Sequence, residues 1–340
     1  MRAVILIVAA LASWGAQAAV ELWDQYLTLS GFASVSATKS DNSVPLYFNR
    51  RIDDEWCYDC DTTVGLQLDS RFSERWRASA QVVKRPQDSF SNPQFEWGYL
   101  SWQGESLEVR AGRLRMPLFL ASDYYFVGNA YPWARPPVDL YDTLLGITAF
   151  NGIDLIYHRS VGEELELTVH PFYGGHNHED VDVGPLVLEV ETDIQTGLSL
   201  RLNGPSYTLN ASYLHADYTI NEIPDVLDIF TLGLHYEWQE WELWAEYETD
   251  KLQNAGYLGL VWNLERWRPY LMVARNWKRI ESVSYLGGIR YDLLPNLSLN
   301  LEYQLSDALD GSEGQFLVPP QLLGEPSQAS LVTLMLSYNF

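Results

Sequence analysis

The sequence predicts an all-β protein, a transmembrane antiparallel β-barrel of about sixteen strands. Three observations predict this fold class. The amino terminus resembles an export signal, the rest of the chain alternates polar and apolar residues in many short segments, and aromatic residues reach 14% while mean hydropathy is only -0.16. Strands that face lipid on one side and water on the other combine high aromatic content with near-neutral hydropathy.

The first eighteen residues predict export. Arg2 precedes the apolar run VILIVAALASWGA, and Ala16, Gln17 and Ala18 form an A-x-A cleavage site, a pattern typical of a secretory signal peptide. We therefore assign residues 1–18 to the signal and residues 19–340 to the barrel. No later stretch holds eighteen consecutive apolar residues, which excludes a helical membrane protein.

Sixteen segments of alternating polarity predict the strands. They lie at 27–36, 62–71, 76–85, 94–102, 107–112, 153–159, 165–173, 193–202, 207–215, 229–238, 241–250, 257–264, 268–277, 285–291, 297–305 and 331–340. Tight connections such as SERW, QGES, NGPS and LERW follow even-numbered segments, and longer ones follow odd-numbered segments. This alternation is typical of a membrane barrel with short turns at one end and long loops at the other.

The two faces of single segments are clear. In NLSLNLEYQLS, Leu299, Leu301 and Tyr303 share one face, while Asn300 and Glu302 share the other. Backbone groups within a bilayer must be hydrogen-bonded internally, so such strands have to close into a ring. A soluble barrel or sandwich is the alternative interpretation of the same alternation.

The last segment, LVTLMLSYNF, alternates up to the final residue of the sequence. Val332, Leu334, Leu336, Tyr338 and Phe340 share its apolar face. With the export signal and the amphipathic strands, this ending resembles the Gram-negative outer-membrane porins, over residues 19–340. In the wider group of outer-membrane barrels, the barrel-assembly machinery reads a terminal aromatic strand, so the resemblance assigns Tyr338 and Phe340 to that signal.

The strand number makes the resemblance more specific, since sixteen strands are typical of general diffusion porins. That family implies a homotrimer in the outer membrane, in contact with lipid and lipopolysaccharide, that passes small hydrophilic solutes. It also implies that the third extracellular loop folds into the lumen. The longest connection, residues 113–152, follows the fifth predicted strand and is rich in apolar and aromatic residues, so it has to pack against something. An external lid or a trimer contact is the alternative to a constriction loop.

Charged residues predict the two sides of a pore constriction. The basic wall comprises Arg71, Arg77, Arg85, Arg110, Arg113 and Arg115. The acidic side comprises Asp123, Asp139, Asp142, Glu242 and Glu246, with Glu248 beside them. Opposed charges across a narrow channel create a transverse field that selects solutes, and the arrangement resembles the constriction of general porins. Local pairing of these charges, or a position in a wide vestibule, is the alternative.

Net charge and cysteine use exclude several other classes. A net charge of -23 is opposite to the basic surface that nucleic-acid binding requires. Cys57 and Cys60 lie in an acidic loop of an exported chain, where oxidising conditions favour a disulfide. Neither a redox βαβ unit nor two further zinc ligands accompany them.

Metal and catalytic sites have weak signals. His176, His178 and Glu179 are conceivable metal ligands, but two histidines in a glycine-led loop are more often simply exposed. Acidic outer loops can be bridged by Ca²⁺ or Mg²⁺ on a lipopolysaccharide surface, although solvated loops are the simpler interpretation. The soluble-hydrolase, P-loop and zincin motifs are absent. The pairs His215–Asp217 and His158–Asp154 lack a positioned serine.

The sequence therefore predicts a passive diffusion channel for small hydrophilic solutes and ions that needs no metal or other cofactor. A substrate-specific, anion-preferring channel is the first alternative. An outer-membrane hydrolase or a surface-binding barrel is the second. The first three strands carry small or aliphatic outward residues, which predicts a subunit contact there.

Overall fold

The computed structural model describes residues 19–23, 26–86, 92–142, 144, 147–183 and 186–340. Within them the chain forms eighteen strands, of which β1 and β9 stand outside the closed ring, leaving sixteen. The predicted all-β barrel of sixteen antiparallel strands is confirmed. The predicted signal, residues 1–18, lies outside the described residues.

The strands follow one another around the barrel, except that β8 is followed by β10. Their bounds are β1 Val20–Trp23, β2 Leu27–Ser40, β3 Thr63–Arg71, β4 Trp76–Lys84, β5 Gln94–Gln103, β6 Leu107–Arg115, β7 Ala149–Val161, β8 Leu165–Gly174, β9 Asn177–Val183, β10 Leu186–Asn203, β11 Tyr207–Ile220, β12 Ile223–Trp238, β13 Trp241–Thr249, β14 Gln253–Trp262, β15 Trp267–Lys278, β16 Ser282–Leu294, β17 Leu297–Ala308 and β18 Gln328–Asn339. A one-turn helix, α1 Val138–Tyr141, and two 3₁₀ turns, Ser122–Tyr124 and Pro320–Leu323, lie in connections. No helix in the described part of the chain is long and apolar enough to cross a membrane.

The ring closes between the first and last barrel strands. β18 pairs with β2 in antiparallel register from Leu331↔Ser40 to Asn339↔Phe32. Phe340 then exchanges both backbone hydrogen bonds with Gly31, at 2.9 and 3.0 Å. A Cβ on Gly31 would lie 2.7 Å from the Phe340 ring, so the missing side chain makes room for that ring. The terminal alternation thus continues through the last pair of the seam.

The two faces of the wall differ as the sequence predicts. Outward apolar side chains stay about half exposed, for example Leu66 at 51% and Leu301 at 50%, while Glu302, next to Leu301, is 2% exposed. Stacked aromatic pairs stand at the short-turn end, with Trp241–Trp262 ring centroids 5.2 Å apart. An apolar outer band edged by aromatic residues is typical of a barrel that spans a bilayer.

Several strands extend farther at the long-loop end than the sequence predicts. The residues near 177 and 223, which the sequence leaves between predicted strands, lie in β9 and β12, and β11 and β12 meet at a two-residue turn, Asn221–Glu222. Both residues have positive φ, 48° and 67°. The backbone hydrogen bonds that join two strands do not require alternating polarity of the side chains, so pairing continues where the alternation has ended. The strict short–long rhythm of connections is therefore weaker than predicted in this half.

Candidate functional site at the polar face of the barrel

The longest connection between barrel strands runs from residue 116 to residue 148. β6 extends three residues and β7 four residues into the predicted 113–152 segment. The connection contributes many side chains to the largest buried apolar cluster, among them Leu118, Phe119, Tyr131 and Trp133. We call residues 116–148 the L3 segment. Its apolar content is buried, as its composition requires.

The L3 segment is held by hydrogen bonds to the polar faces of β11 to β18, which we call the anchoring wall. The Leu118 carbonyl accepts from Asn210 Nδ2 at 3.0 Å and from Thr231 Oγ1 at 2.7 Å. Glu246 accepts from the Leu120 N–H at 2.7 Å and the Tyr141 hydroxyl at 2.6 Å. Two donors of the segment converge on this one buried side chain, so Glu246 is a main support of the segment.

A second group of anchors holds the later half of the segment. Glu302 Oε1 accepts from the Ala134 N–H at 2.8 Å, and Asn300 Nδ2 donates to the Pro132 carbonyl at 2.7 Å. Arg290 Nη1 donates to the Tyr131 carbonyl at 2.8 Å. These contacts satisfy backbone groups that have no secondary-structure partner, as buried backbone requires.

A buried charge network joins the L3 segment to the first long connection, residues 41–62. Arg50 Nε donates to Asp61 Oδ1 at 2.8 Å, and Arg50 Nη1 donates to Asp142 Oδ2 at 2.5 Å. Arg135 forms an ion pair with the other oxygen of Asp61. Burial opposes ionisation of Asp61, but the Arg135 and Arg50 guanidiniums outweigh it and lower the pKa of that carboxyl.

The two cysteines stand beside this network. Cys57 and Cys60 are joined by a disulfide with their Cα atoms 5.8 Å apart. Cys57 also exchanges two backbone hydrogen bonds with Thr38 of β2, at 2.8 and 2.9 Å. The next acidic residue, Asp59, pairs with Lys84. The bonded loop is thereby fixed to the barrel rim just before Asp61.

The opposite side of the interior, the polar faces of β3 to β6, carries arginines; we call it the arginine wall. Two cavities border it. The mouth cavity, about 130 Å³, lies at the long-loop end between the arginine wall and the L3 segment. Its charged lining residues are Arg50, Arg85, Arg115, Asp142, Glu179 and Asp180. Arg85 and Arg115 share Glu96 as an ion-pair partner.

The second cavity, the turn-end cavity, has a volume of about 310 Å³ and lies at the short-turn end. It is lined from β2 to β6, and its charged residues are Asp69, Arg71, Arg77, Glu108 and Arg110. Arg110 lies over the Tyr99 ring at 5.2 Å. The L3 segment contributes no lining residue to this cavity.

Arg110 belongs to a network across three strands. Its Nη2 lies 2.5 Å from Asp154 Oδ2, and His170 Nε2 lies 2.8 Å from the same oxygen. The side chain of Asp154 is fully buried. Asp154 is therefore partnered by His170 and not by His158, which lies beside Glu166 at 3.1 Å. Of the two pairs considered from the sequence, His158 and Asp154 are thus separated, whereas His215 Nε2 lies 3.6 Å from Asp217 Oδ1.

The six predicted basic residues all lie on or next to the arginine wall, at different depths. Arg71, Arg77 and Arg110 border the turn-end cavity, and Arg85 and Arg115 border the mouth cavity. Arg113 pairs with Glu179 and donates to Asn177 Oδ1 at 2.9 Å. The predicted wall is thus a column of arginines, several of them locally paired.

The five predicted acidic residues have dissimilar surroundings. Asp123 is exposed on the 3₁₀ turn of the L3 segment, and Asp142 borders the mouth cavity. Glu246 is buried beneath the segment as an anchor. Glu242 lies near the short-turn end, with Arg268 Nη2 at 2.7 Å. They do not form one acidic side facing the arginines.

Asp139, the fifth of these residues, lies on α1 at 2% exposure. Ser284 Oγ donates to its Oδ2 at 2.8 Å, and Gln315 Nε2 donates to its Oδ1 at 3.1 Å. Burial raises the pKa of this carboxyl to about 6, although these hydrogen bonds oppose the shift. Asp139 is another attachment of the segment.

Sequence reasoning missed Arg50, Asp61, Arg135 and Glu302, which also hold the segment. A usable signal was present, since Arg135 stands within the apolar stretch YPWARPP. A charged residue inside a buried segment must find an opposite charge. The sequence did not predict which carboxylates Arg135 contacts, because Asp61 and Glu302 lie 74 and 167 residues away in the chain.

Metal ligation has no support in the geometry. Within the described ranges, no three His, Cys, Asp or Glu side chains are grouped to hold a metal ion. His178 lies 3.1 Å from Asp180 and 3.5 Å from Glu191, and all three are largely exposed.

Comparison with known proteins defines the fold class. No family model matches the sequence, and no curated protein matches it. An anion-selective porin from Comamonas acidovorans matches with a TM-score of 0.65 and 13% identity, over 92% of this chain and 99% of that chain. OmpF of Salmonella typhi, in complex with daunomycin, matches with a TM-score of 0.65 and 11% identity, over 95% and 100%. A loop-deletion mutant of OmpT, an outer membrane protein of Vibrio cholerae, matches with a TM-score of 0.60 and 10% identity, over 93% and 100%.

The chain therefore has the fold of the sixteen-stranded outer-membrane porins. The resemblance read from the sequence is confirmed for the fold.

Proposed function

We propose that this protein is an outer-membrane porin, a passive diffusion channel for small hydrophilic solutes and ions. The observation that carries the proposal is a closed barrel with an apolar outer band and a polar interior. Such a surface is stable only where lipid surrounds the ring, and the polar interior then encloses water. No cofactor takes part in this function.

We infer that the L3 segment lies inside the barrel and narrows the channel. Its hydrogen bonds reach polar residues on strands from β11 to β18, including Asn210, Glu246 and Glu302. One segment can contact the polar faces of so many consecutive strands only from within the ring. Solutes then pass along the arginine wall, where the two cavities lie.

The arginine wall supports an anion preference. Five of its arginines border the two cavities, and local charges, not the net charge, set the field that a solute meets within a Debye length of about 8 Å. A substrate-specific, anion-preferring channel is the second candidate. The aromatic residues of the mouth cavity, including Phe119 and Tyr125, favour it.

Planar-bilayer recording tests the channel. Stable conductance steps with a linear current–voltage relation are expected, and an electrically silent folded barrel would favour a plugged binding protein or an enzyme instead. Changing Arg77, Arg85 and Arg110 together to Gln should shift the reversal potential toward cations. Arg201→Gln is the matched control, because Arg201 lies in β10 and borders neither cavity. An equal shift in both variants would contradict the role of the arginine wall.

Assembly is proposed from the outer surface. We infer a homotrimer that meets through β2 to β4, whose outward residues are mostly small or aliphatic, with Trp76 at the short-turn end of β4 as the large aromatic exception. The small or aliphatic residues are Leu27, Leu29, Gly31, Ala33, Val35, Val64, Leu66, Leu68, Ala78, Ala80 and Val82. Small residues allow close approach of subunits. Cross-links that map to β11 to β14 would remove this assignment.

The remaining partners concern membrane insertion. The barrel-assembly machinery would read Tyr338 and Phe340, whose rings stack with centroids 6.2 Å apart at the seam. Lipid and lipopolysaccharide would surround the outer band. Residues 1–18 would be removed on export.

A further inference from the structure

Two arginines face each other directly at the short-turn end of the arginine wall. Arg71 ends β3, and Arg77 is its cross-strand partner on β4. Directly opposed residues of an antiparallel pair project from the same face with Cβ atoms about 5 Å apart. Like charges in this position repel each other, so the pair needs a compensating negative charge.

Among the described residues, Asp69 and Glu108 bring negative charge to the same cavity but form no ion pair with either arginine. Neither arginine side chain forms an ion pair or a hydrogen bond there, and Arg77 Nε is buried with no partner. Other arginines of the wall differ, since Arg85 pairs with Glu96 and Arg110 with Asp154. A buried guanidinium donor without an acceptor carries a desolvation cost, and an incoming acceptor would remove it.

The space around the pair suits a small ligand. Both arginines line the turn-end cavity of about 310 Å³. Ser79 and Ser101 lie on the same lining, and their hydroxyls can donate further hydrogen bonds. Two carboxylates also line it. Asp69 accepts from Gln67 Nε2 at 2.8 Å and Glu108 from Gln103 Nε2 at 3.4 Å, and neither forms an ion pair with the arginines.

We propose that Arg71 and Arg77 form a binding site for a doubly charged oxyanion of the phosphate class, at the short-turn end of the channel. Two guanidiniums present planar pairs of N–H donors that match phosphate oxygens, and a dianion neutralises both charges at once. This site rests on the proposed channel function and specifies the class of solute that binds at the short-turn end of the channel. Binding itself does not depend on conduction.

Calorimetric titration of inorganic phosphate into the detergent-solubilised protein, at pH 8 and constant ionic strength, tests the site. The double variant Arg71→Gln with Arg77→Gln should bind phosphate at least tenfold more weakly than the unchanged protein. Arg201→Gln is the matched control, because Arg201 lies in β10 and outside the cavity lining. Its phosphate affinity should be unchanged.

Thermal unfolding supplies a second readout. Phosphate should raise the unfolding temperature of the unchanged protein and not that of the double variant, because only a ligand of the folded state stabilises it. Without phosphate the double variant should unfold at a higher temperature than the unchanged protein. If the double variant does not fold, the single variant Arg71→Lys replaces it. This variant keeps the positive charge but loses the planar pair of donors, so it should bind phosphate more weakly while its stability stays the same.

Equal phosphate affinity in the unchanged protein and the folded variants would overturn the proposal, as would no binding to the unchanged protein. Conductance recorded in chloride separates this result from failure of the channel function. A protein that conducts but does not bind phosphate keeps the channel and loses the site. A protein that binds phosphate but does not conduct keeps the site and loses the channel.

Discussion

The anchoring wall and the arginine wall belong to one barrel but use polar residues differently. On the anchoring wall, Glu246 and Glu302 are at 4% and 2% exposure and accept hydrogen bonds from backbone N–H groups of the L3 segment. On the arginine wall, Arg71 is exposed and the turn-end cavity remains open beside it. The anchoring wall thus packs against the L3 segment, whereas the arginine wall stays accessible to water and solutes.

The two walls therefore have different roles, since one stabilises the L3 segment and the other sets the charge that a solute meets. A buried carboxylate that accepts several donors fixes a position and contributes little field to a distant solute. An accessible arginine contributes little to packing and acts directly on the charge of a solute. The two sets of charges should therefore respond differently to mutation.

Removing the centre of the buried charge network should cost most. Asp61→Ala leaves Arg50 and Arg135 buried without their shared partner, which costs about 3–5 kcal/mol of unfolding free energy. Denaturant unfolding in detergent measures it, and single-channel recordings should become larger and noisier as the segment loosens. Asp225→Ala is the control, because its pair with Lys251 is about 43% exposed and contributes less than about 1 kcal/mol. Equal losses in the two variants would contradict the network's role.

Glu246→Gln should have the next largest effect. Three donors converge on this carboxylate: the Leu120 N–H, the Tyr141 hydroxyl and the Tyr257 hydroxyl, the last at 2.8 Å. A Gln amide turns one acceptor into a donor, which costs about 1–3 kcal/mol. Conductance should rise because the early half of the segment is released. An unchanged conductance with lowered stability would place Glu246 away from the narrowest point.

Asp139 should make stability depend on pH. Its pKa of about 6 lies above the ordinary aspartate value of 3.8, so the folded state binds more protons than the unfolded state between these values. Unfolding free energy should therefore rise as pH falls from 7 to 5, by about 1 kcal/mol. The difference between the unchanged protein and Asp139→Asn, measured across this range, isolates the effect from other titrating groups. A difference that does not change with pH would show that Asp139 is not buried as described.

Arg71→Gln should change stability least. The residue is exposed and faces Arg77, so its loss should alter unfolding free energy by no more than about 0.5 kcal/mol, toward stabilisation in the absence of phosphate. Arg110→Gln is the contrasting variant, because it leaves the buried Asp154 with His170 as its remaining partner and should destabilise clearly. A large loss in Arg71→Gln would mean that this residue belongs to a packed network after all.

The amino-acid sequence by itself determined the barrel. Side chains alternate between the two faces of a strand, and one of these faces meets apolar lipid. About ten residues are therefore enough to show both faces, and the local pattern alone predicted sixteen strands. The same pattern predicted the aromatic ending of the last strand and the place of the longest connection, between the fifth and sixth barrel strands.

Only the tertiary structure decided which charges meet. Asp139 and Glu246 look from the sequence like partners of the arginines, yet both are buried as supports of the L3 segment. Arg135 meets Asp61 across 74 residues of chain. Alternation is a local property of a strand. The partner of a buried charge depends instead on how the thirty-three-residue connection 116–148 packs against strands that are distant in the sequence.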